Sequence, residues 1–87
     1  MNTWFLYVLR CSDSTFYTGV TTDVQRRLNE HNTSPRGAKY TKTRRPTELV
    51  YWISFEDRSK AQKAEYRFKK LTRRQKEEII NENRRFN

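Results

Sequence analysis

The apolar residues of this chain are concentrated in two short runs, Trp4 to Leu9 and Leu49 to Phe55, and that concentration limits what it can fold into. Both runs are rich in aromatic and branched side chains and too short for a stable helix, so each reads as a strand. Elsewhere the sequence is strongly polar: 33% of its 87 residues are hydrophobic and the mean hydropathy is -1.16. Scattered apolar residues at that level would lean toward disorder. Gathered as they are, with aromatics at 14% of the chain, they make one thin core, and so short a chain has no room for a second. A single domain over residues 1–87 is expected.

Phe16 to Thr18 reads as a further, shorter strand. A three-residue loop at Cys11, Ser12 and Asp13 would set Tyr7 opposite Tyr17, on one face of an antiparallel pair. No Asn-Gly or Asp-Gly turn fixes that register, so it stays open. Thr22 with Gln25, Ser59 with Gln62 and Thr72 with Gln75 have the spacing of capping boxes, each opening a helix. The first helix is expected from about Asp23 to Asn32. Leu71 closes the second before Thr72 opens the third, where Ile79, Ile80 and Phe86 are left to bury. Thr33 to Pro46 has no apolar periodicity and reads as a long basic loop. Leu49 to Phe55, almost unbroken in its hydrophobicity, suits a strand covered on both faces and is expected to be the best-buried element. The order strand, strand, helix, strand, helix, helix is α+β.

Nineteen Lys and Arg against ten Asp and Glu leave a formal charge of +9. Five bases and no acid fall between Arg36 and Arg45, and eleven bases against four acids between Arg58 and Arg85. The natural partner is a polyanion. No stretch approaches the ~18 apolar residues of a membrane span, and no basic helix carries a strong apolar face, so nucleic acid is expected and a membrane is not. Cys11 is the only cysteine, which excludes an intrachain disulfide and a multi-cysteine zinc site. The apolar run follows Met1 closely, with no basic region before it and no small-residue cleavage site after it, so a cytoplasmic setting is expected.

Helical projection picks out the candidates for chemistry. Val24 and Leu28 define the buried stripe of the first helix; Arg27 and His31 lie beside it while Arg26 points away. An arginine there can be held along its stem and present its planar fork to phosphate, or it can merely snorkel over the sheet. On the second helix Glu65 falls between Ala61 and Phe68, on the apolar side, whereas Lys60, Lys63, Arg67 and Lys70 face elsewhere. A carboxylate so placed needs a partner, either a cation such as Arg27 or a metal ion. His31 is open to three roles: general base, phosphate contact, or a helix-end residue favoured by the dipole. Tyr7 and Tyr17 fit a core as well as a site.

Taken together, Phe5-Leu6-Tyr7, then Tyr17-Thr18-Gly19, then Arg27 and His31 on one helix and Glu65 on a later one resemble the GIY-YIG nuclease superfamily. The resemblance runs from Phe5 to about Leu71. Tyr17 to Asn32 and Gly37-Ala38-Lys39-Tyr40 look most like small stand-alone bacterial members and the nuclease subunit of structure-specific endonucleases. It implies a three-stranded antiparallel sheet flanked by helices and one divalent metal ion, Mg2+ or Mn2+, on Glu65. It further implies Arg27 as a phosphate clamp, Tyr17 as the residue that helps activate water, and Tyr7 as its support. A tyrosine can take that proton only if nearby positive charge lowers its pKa of ~10. Phe5, Leu6 and Thr18 depart from the family's name-giving residues, and Val20 stands where DNA-excision members often carry a lysine, a role open to Lys39 or Lys42.

The expected activity is metal-dependent endonucleolytic hydrolysis of phosphodiester bonds in DNA, in preference to RNA, leaving a 5′-phosphate and a 3′-hydroxyl. Structure-specific or repair-related cleavage is one expectation, and a protein partner that supplies specificity is another. The rival readings are a non-catalytic DNA- or RNA-binding module and a structural protein of a larger assembly. Lys39, Lys42, Arg44 and Arg45 are the expected phosphate track. DNA binding should then weaken steeply with salt, and replacing two of the four should flatten the log-log salt slope by roughly one to two units. An unchanged slope would move the surface to Arg73, Arg74, Arg84 and Arg85.

Overall fold

A computed structural model describes residues 3–86, so Met1, Asn2 and Asn87 of the expected 1–87 domain lie outside the described residues. Three strands, β1 (Trp4–Arg10), β2 (Phe16–Thr21) and β3 (Glu48–Phe55), form an antiparallel sheet in the order β2-β1-β3. Four helices accompany it: α1 (Val24–Thr33), α2 (Lys39–Lys42), α3 (Arg58–Lys69) and α4 (Arg73–Glu82). The architecture is the α+β one expected from the sequence. The segment read as a loop contains α2, whose four residues are too few to show a periodicity.

β1 sits at the centre and alternates between two faces. Leu6 and Val8 point to one side, where they join Tyr51, Ile53, Phe68 and Ile79 in the hydrophobic core. Tyr7 points to the other. β1, not β3, is the best-buried strand, because β3 is an edge and leaves Trp52 54% exposed. Opposite β1, Val50 is one residue too many, and the pairing shifts between Val8 and Leu9.

The first hairpin is longer than expected. Residues 11–15 connect the strands, with Cys11 N–H donating to the Thr15 carbonyl at 2.8 Å. Tyr7 therefore faces Gly19, and Tyr17 faces Leu9. A shift of two residues keeps the pleat in phase, so Tyr7 and Tyr17 still share a face, their rings 6.4 Å apart.

Aspartates open the first two long helices: Asp23 accepts from Arg26 N–H, and Asp57 from Lys60 N–H. They displace Thr22 and Ser59 as caps, since a carboxylate one or two residues away satisfies the same orphan donors and meets the positive end of the helix dipole. At α4 the Thr72 and Gln75 capping box forms in full. α3 lies across β2 and β1 through Ala61, Ala64 and Phe68, all fully buried. The C-terminal segment folds back on the core: Phe86 meets Phe68 edge-on at 5.3 Å, and its N–H donates to the Tyr51 hydroxyl at 3.1 Å.

Phe68 touches both β1's core side and the returning tail, so truncating it opens a cavity at the centre. Phe68→Ala should cost ~3–5 kcal/mol in urea unfolding. Tyr66→Ala, two residues away on the exposed side of α3, should stay within ~0.5 kcal/mol of the parent.

Candidate active site

Tyr7 is almost fully buried, yet its hydroxyl is surrounded by polar groups. Across the sheet lies Gly19, where an added Cβ would fall 2.6 Å from the Tyr7 oxygen. The glycine is a space that lets the phenol lie across β2. From above, α1 brings His31, whose Nε2 is 2.7 Å from the same oxygen. His31 is wholly buried and is the one fully buried residue of α1; Val24 and Leu28, expected as the buried stripe, are half-exposed.

The protonation of His31 follows from its other nitrogen. The backbone N–H of Ala38 donates to Nδ1 at 3.1 Å, so Nδ1 holds a lone pair and the ring proton is on Nε2. His31 thus donates to Tyr7, which leaves the phenol's own proton free to point into the site. Thr41 on α2 places its hydroxyl 3.0 Å from Nδ1 and 2.8 Å from the Ala38 carbonyl, two acceptors between which its single proton is shared. Gly37 makes the approach feasible: a Cβ there would meet the Glu30 carbonyl at 2.6 Å. Burial, reinforced by the charges of Arg27 and Arg45, lowers the His31 pKa to about 4. His31 therefore lies behind the Tyr7 hydroxyl and reaches the site through it.

Burial also raises the Tyr7 pKa well above the ordinary tyrosine value, helped by neighbouring Tyr17 and Glu65 and opposed by Arg27. Tyr7 is therefore a neutral donor, not a base. Tyr17 stands at the opening, half-exposed, its ring 5.0 Å from His31 and stacked on Tyr40 at 6.1 Å. Arg27 is partly buried and donates to Glu30 at 2.9 Å and to the Arg36 carbonyl at 2.8 Å. Glu65, partly buried on α3, is paired with Lys69 at 3.0 Å, not with Arg27. All five residues singled out from the sequence thus converge on one face.

Tyr40, Lys69 and Lys76 are additions. With Phe16, Tyr17 and Thr18 they line a hollow of about 220 Å³ beside the site. Tyr40 lay in a segment without periodicity, and Lys69 carries a signal only in hindsight, four residues after Glu65 on the same helix.

The expected phosphate track divides. Arg45 donates to the carbonyls of His31 and Ser34, both at 2.6 Å, and so closes the C-terminal end of α1. Orphan carbonyls at a helix end recruit such a group. Arg44 bridges to Asp13 at 3.0 Å and covers the Tyr40 ring at 3.9 Å. Lys39 and Lys42 remain exposed and, among the described residues, form no ion pair.

Among the described residues no three His, Cys, Asp or Glu side chains cluster as a metal site. One carboxylate with an open side fits an ion that keeps most of its water and takes phosphate oxygens from substrate, as Mg2+ does. It does not fit zinc.

The model of the GIY-YIG catalytic domain matches residues 3–78. The chain belongs to the GIY-YIG family. A UPF0213 protein of Bacillus velezensis is 52% identical over 84 residues, 97% of this chain and 84% of that protein. The UPF0213 protein YazA of Bacillus subtilis is 49% identical over 83 residues, 95% of this chain and 83% of that protein. Among solved structures, the solution NMR structure of protein EF2693 from E. faecalis superposes with a TM-score of 0.65 at 48% identity, covering 95% of this chain and 88% of that one. The structure of the UPF0213 protein BH0048 from Bacillus halodurans gives 0.58 at 43% identity, covering 91% and 83%. GIY-YIG domains form a nuclease superfamily that acts on nucleic acid and generally uses divalent metal ions. No described helix is long and apolar enough to cross a membrane.

His31 is the chain's single histidine, so its ring proton resonance can be followed by NMR without assignment. It should titrate near pH 4 and not near the usual ~6.5. Because the folded-state pKa is depressed, the unfolded chain binds the proton first. The stability His31 contributes should be whole above about pH 6.5 and be lost as pH falls toward 4. A midpoint near 6.5 in the folded protein would contradict the buried neutral ring.

Proposed function

We propose that this GIY-YIG domain is a metal-dependent endonuclease that hydrolyses phosphodiester bonds in DNA. The observation that supports it most is the convergence on Tyr7: a neutral histidine that donates to its oxygen, an arginine beside it, and a carboxylate within electrostatic reach. A purely structural role for the phenol would need the first of these and neither of the others.

The substrate strand enters along Tyr17 and Tyr40, while Lys39 and Lys42 take flanking phosphates. Arg27, steadied by Glu30 and the Arg36 carbonyl, turns its remaining donors to the equatorial oxygens that gain charge during in-line attack. Tyr7 donates its free proton to the attacking water or to a phosphate oxygen and holds it in line. His31 is a positioning residue: it fixes the direction of that proton and touches no substrate. Tyr17, at the opening, helps to activate the water. Glu65 anchors one divalent ion, Mg2+ or Mn2+, which when bound supplies positive charge to the leaving oxygen. Lys69, released from Glu65, is the base that Val20 does not provide. Cleavage leaves a 5′-phosphate and a 3′-hydroxyl, and a partner protein supplies specificity to so small a domain.

The test is cleavage of single-stranded, duplex, flap and junction DNA and of RNA, with magnesium or manganese, by the parent and by Glu65→Ala. The variant should lose cleavage and keep DNA binding. Its stability should change little, because the Glu65–Lys69 pair is a helix-surface contact of the kind worth ~0.3–0.5 kcal/mol. A large drop in melting temperature with residual cleavage would sink the metal role. A parent protein that binds every substrate and cleaves none would favour the non-catalytic nucleic-acid-binding module instead.

A further inference from the structure

A second basic hollow, of about 460 Å³, opens at the far edge of the molecule. Ser54, Phe55, Glu56, Lys60, Lys63, Arg67 and Arg85 line it. Strand order sets it apart from the active site, because Ser54 and Phe55 end β3, whereas Tyr17 is on β2, at the opposite edge of the sheet. Helix α3 separates the two again. At ~100° per residue, Lys60, Lys63 and Arg67 share one stripe, roughly half a turn away from Glu65.

That stripe is not neutralised from within. Lys60 pairs with Glu56 at 3.3 Å, but Lys63 and Arg67 are exposed and, among the described residues, take part in no side-chain ion pair or hydrogen bond. Like charges three or four residues apart on a helix repel one another. An anion laid along the stripe removes that repulsion. Arg85 donates to the Ser54 carbonyl at 2.8 Å and stands 5.4 Å from the Phe55 ring, so the far wall of the hollow is cationic and partly aromatic. Among the described residues four bases and one acid line the hollow beside Phe55, which suits a chain of phosphates carrying bases better than a single small anion.

We infer that this hollow is a second nucleic-acid-binding site, so that one domain holds two separate segments, one on the Tyr17 face and one along Lys60, Lys63 and Arg67. The inference rests on reading the Tyr17 face as a nucleic-acid surface. It adds that the preferred ligand presents two segments at once, on opposite sides of α3.

The test avoids cleavage by omitting divalent ions. Two short duplexes, one with a donor and one with an acceptor dye, are mixed with limiting protein, and energy transfer between them reports bridging; sedimentation checks that the protein is monomeric. The parent should bridge. Lys63→Gln/Arg67→Gln, and independently Lys63→Glu/Arg67→Glu, should lose bridging and keep binding of one duplex within about twofold. Each phosphate contact contributes ~0.9 to the log-log salt slope, so the glutamine pair should flatten the slope of bridging by ~2 and leave that of single-duplex binding unchanged. Bridging that survives both variants, bridging by protein dimers, or no bridging by the parent would overturn the second site. If single-duplex binding falls as far as bridging does, the stripe is the main surface and the two-site reading is wrong. An active nuclease can fail this test, and a protein that never cleaves can pass it.

Discussion

The backbone N–H of Ala38 that points at His31 Nδ1 decides the state of the site. It forces the ring proton onto Nε2, makes His31 the donor to Tyr7, and leaves the phenol's hydrogen for whatever enters. An imidazole pointing its lone pair at Tyr7 would capture that hydrogen and silence it. The bond exists because α2 follows α1 after a tight connection and Gly37 lets the two backbones approach. A four-residue helix that contributes little to the core thus controls the chemistry of the central strand.

The surrounding charge is organised by local pairs. Arg27 pairs with Glu30 and Glu65 with Lys69, each partner one turn away on the same helix. Such pairs are weak. They keep a cation and an anion at the edge of the core without committing them to each other, so that on the proposed mechanism either can turn to substrate at small cost. A direct, buried Arg27–Glu65 bridge would have been far harder to open.

Much of this was legible in the sequence, and the exceptions share a cause. The two apolar runs became β1 and β3, and the helical positions of Arg27 and Glu65 placed both correctly at the core's margin. The face shared by Tyr7 and Tyr17 was found although the register was off by two, since side chains alternate with a period of two. The missed features depend on contacts between segments distant in sequence. That β3 is an edge follows from strand order, which its own hydrophobicity cannot report. Arg45 looked like any other base in a cationic stretch until the end of α1 was seen to need its donors. Tyr40 and α2 sit in a segment whose order comes from Asp13, Arg44 and His31, not from its own pattern. Asp23 and Asp57 compete with Thr22 and Ser59 for the same orphan donors, and spacing alone does not tell which oxygen reaches them.

β1 alternates between two worlds: Leu6 and Val8 face a packed hydrocarbon layer, while Tyr7 faces hydrogen-bonded polar groups. One peptide strand therefore separates the part of the molecule that holds it together from the polar face proposed as the active site. Neighbouring positions along β1 are subject to unrelated demands, those of volume on one side and of proton geometry on the other. The hydrocarbon side can be redesigned for durability, or drift in sequence, without the polar side having to follow, provided the strand between them keeps its pleat.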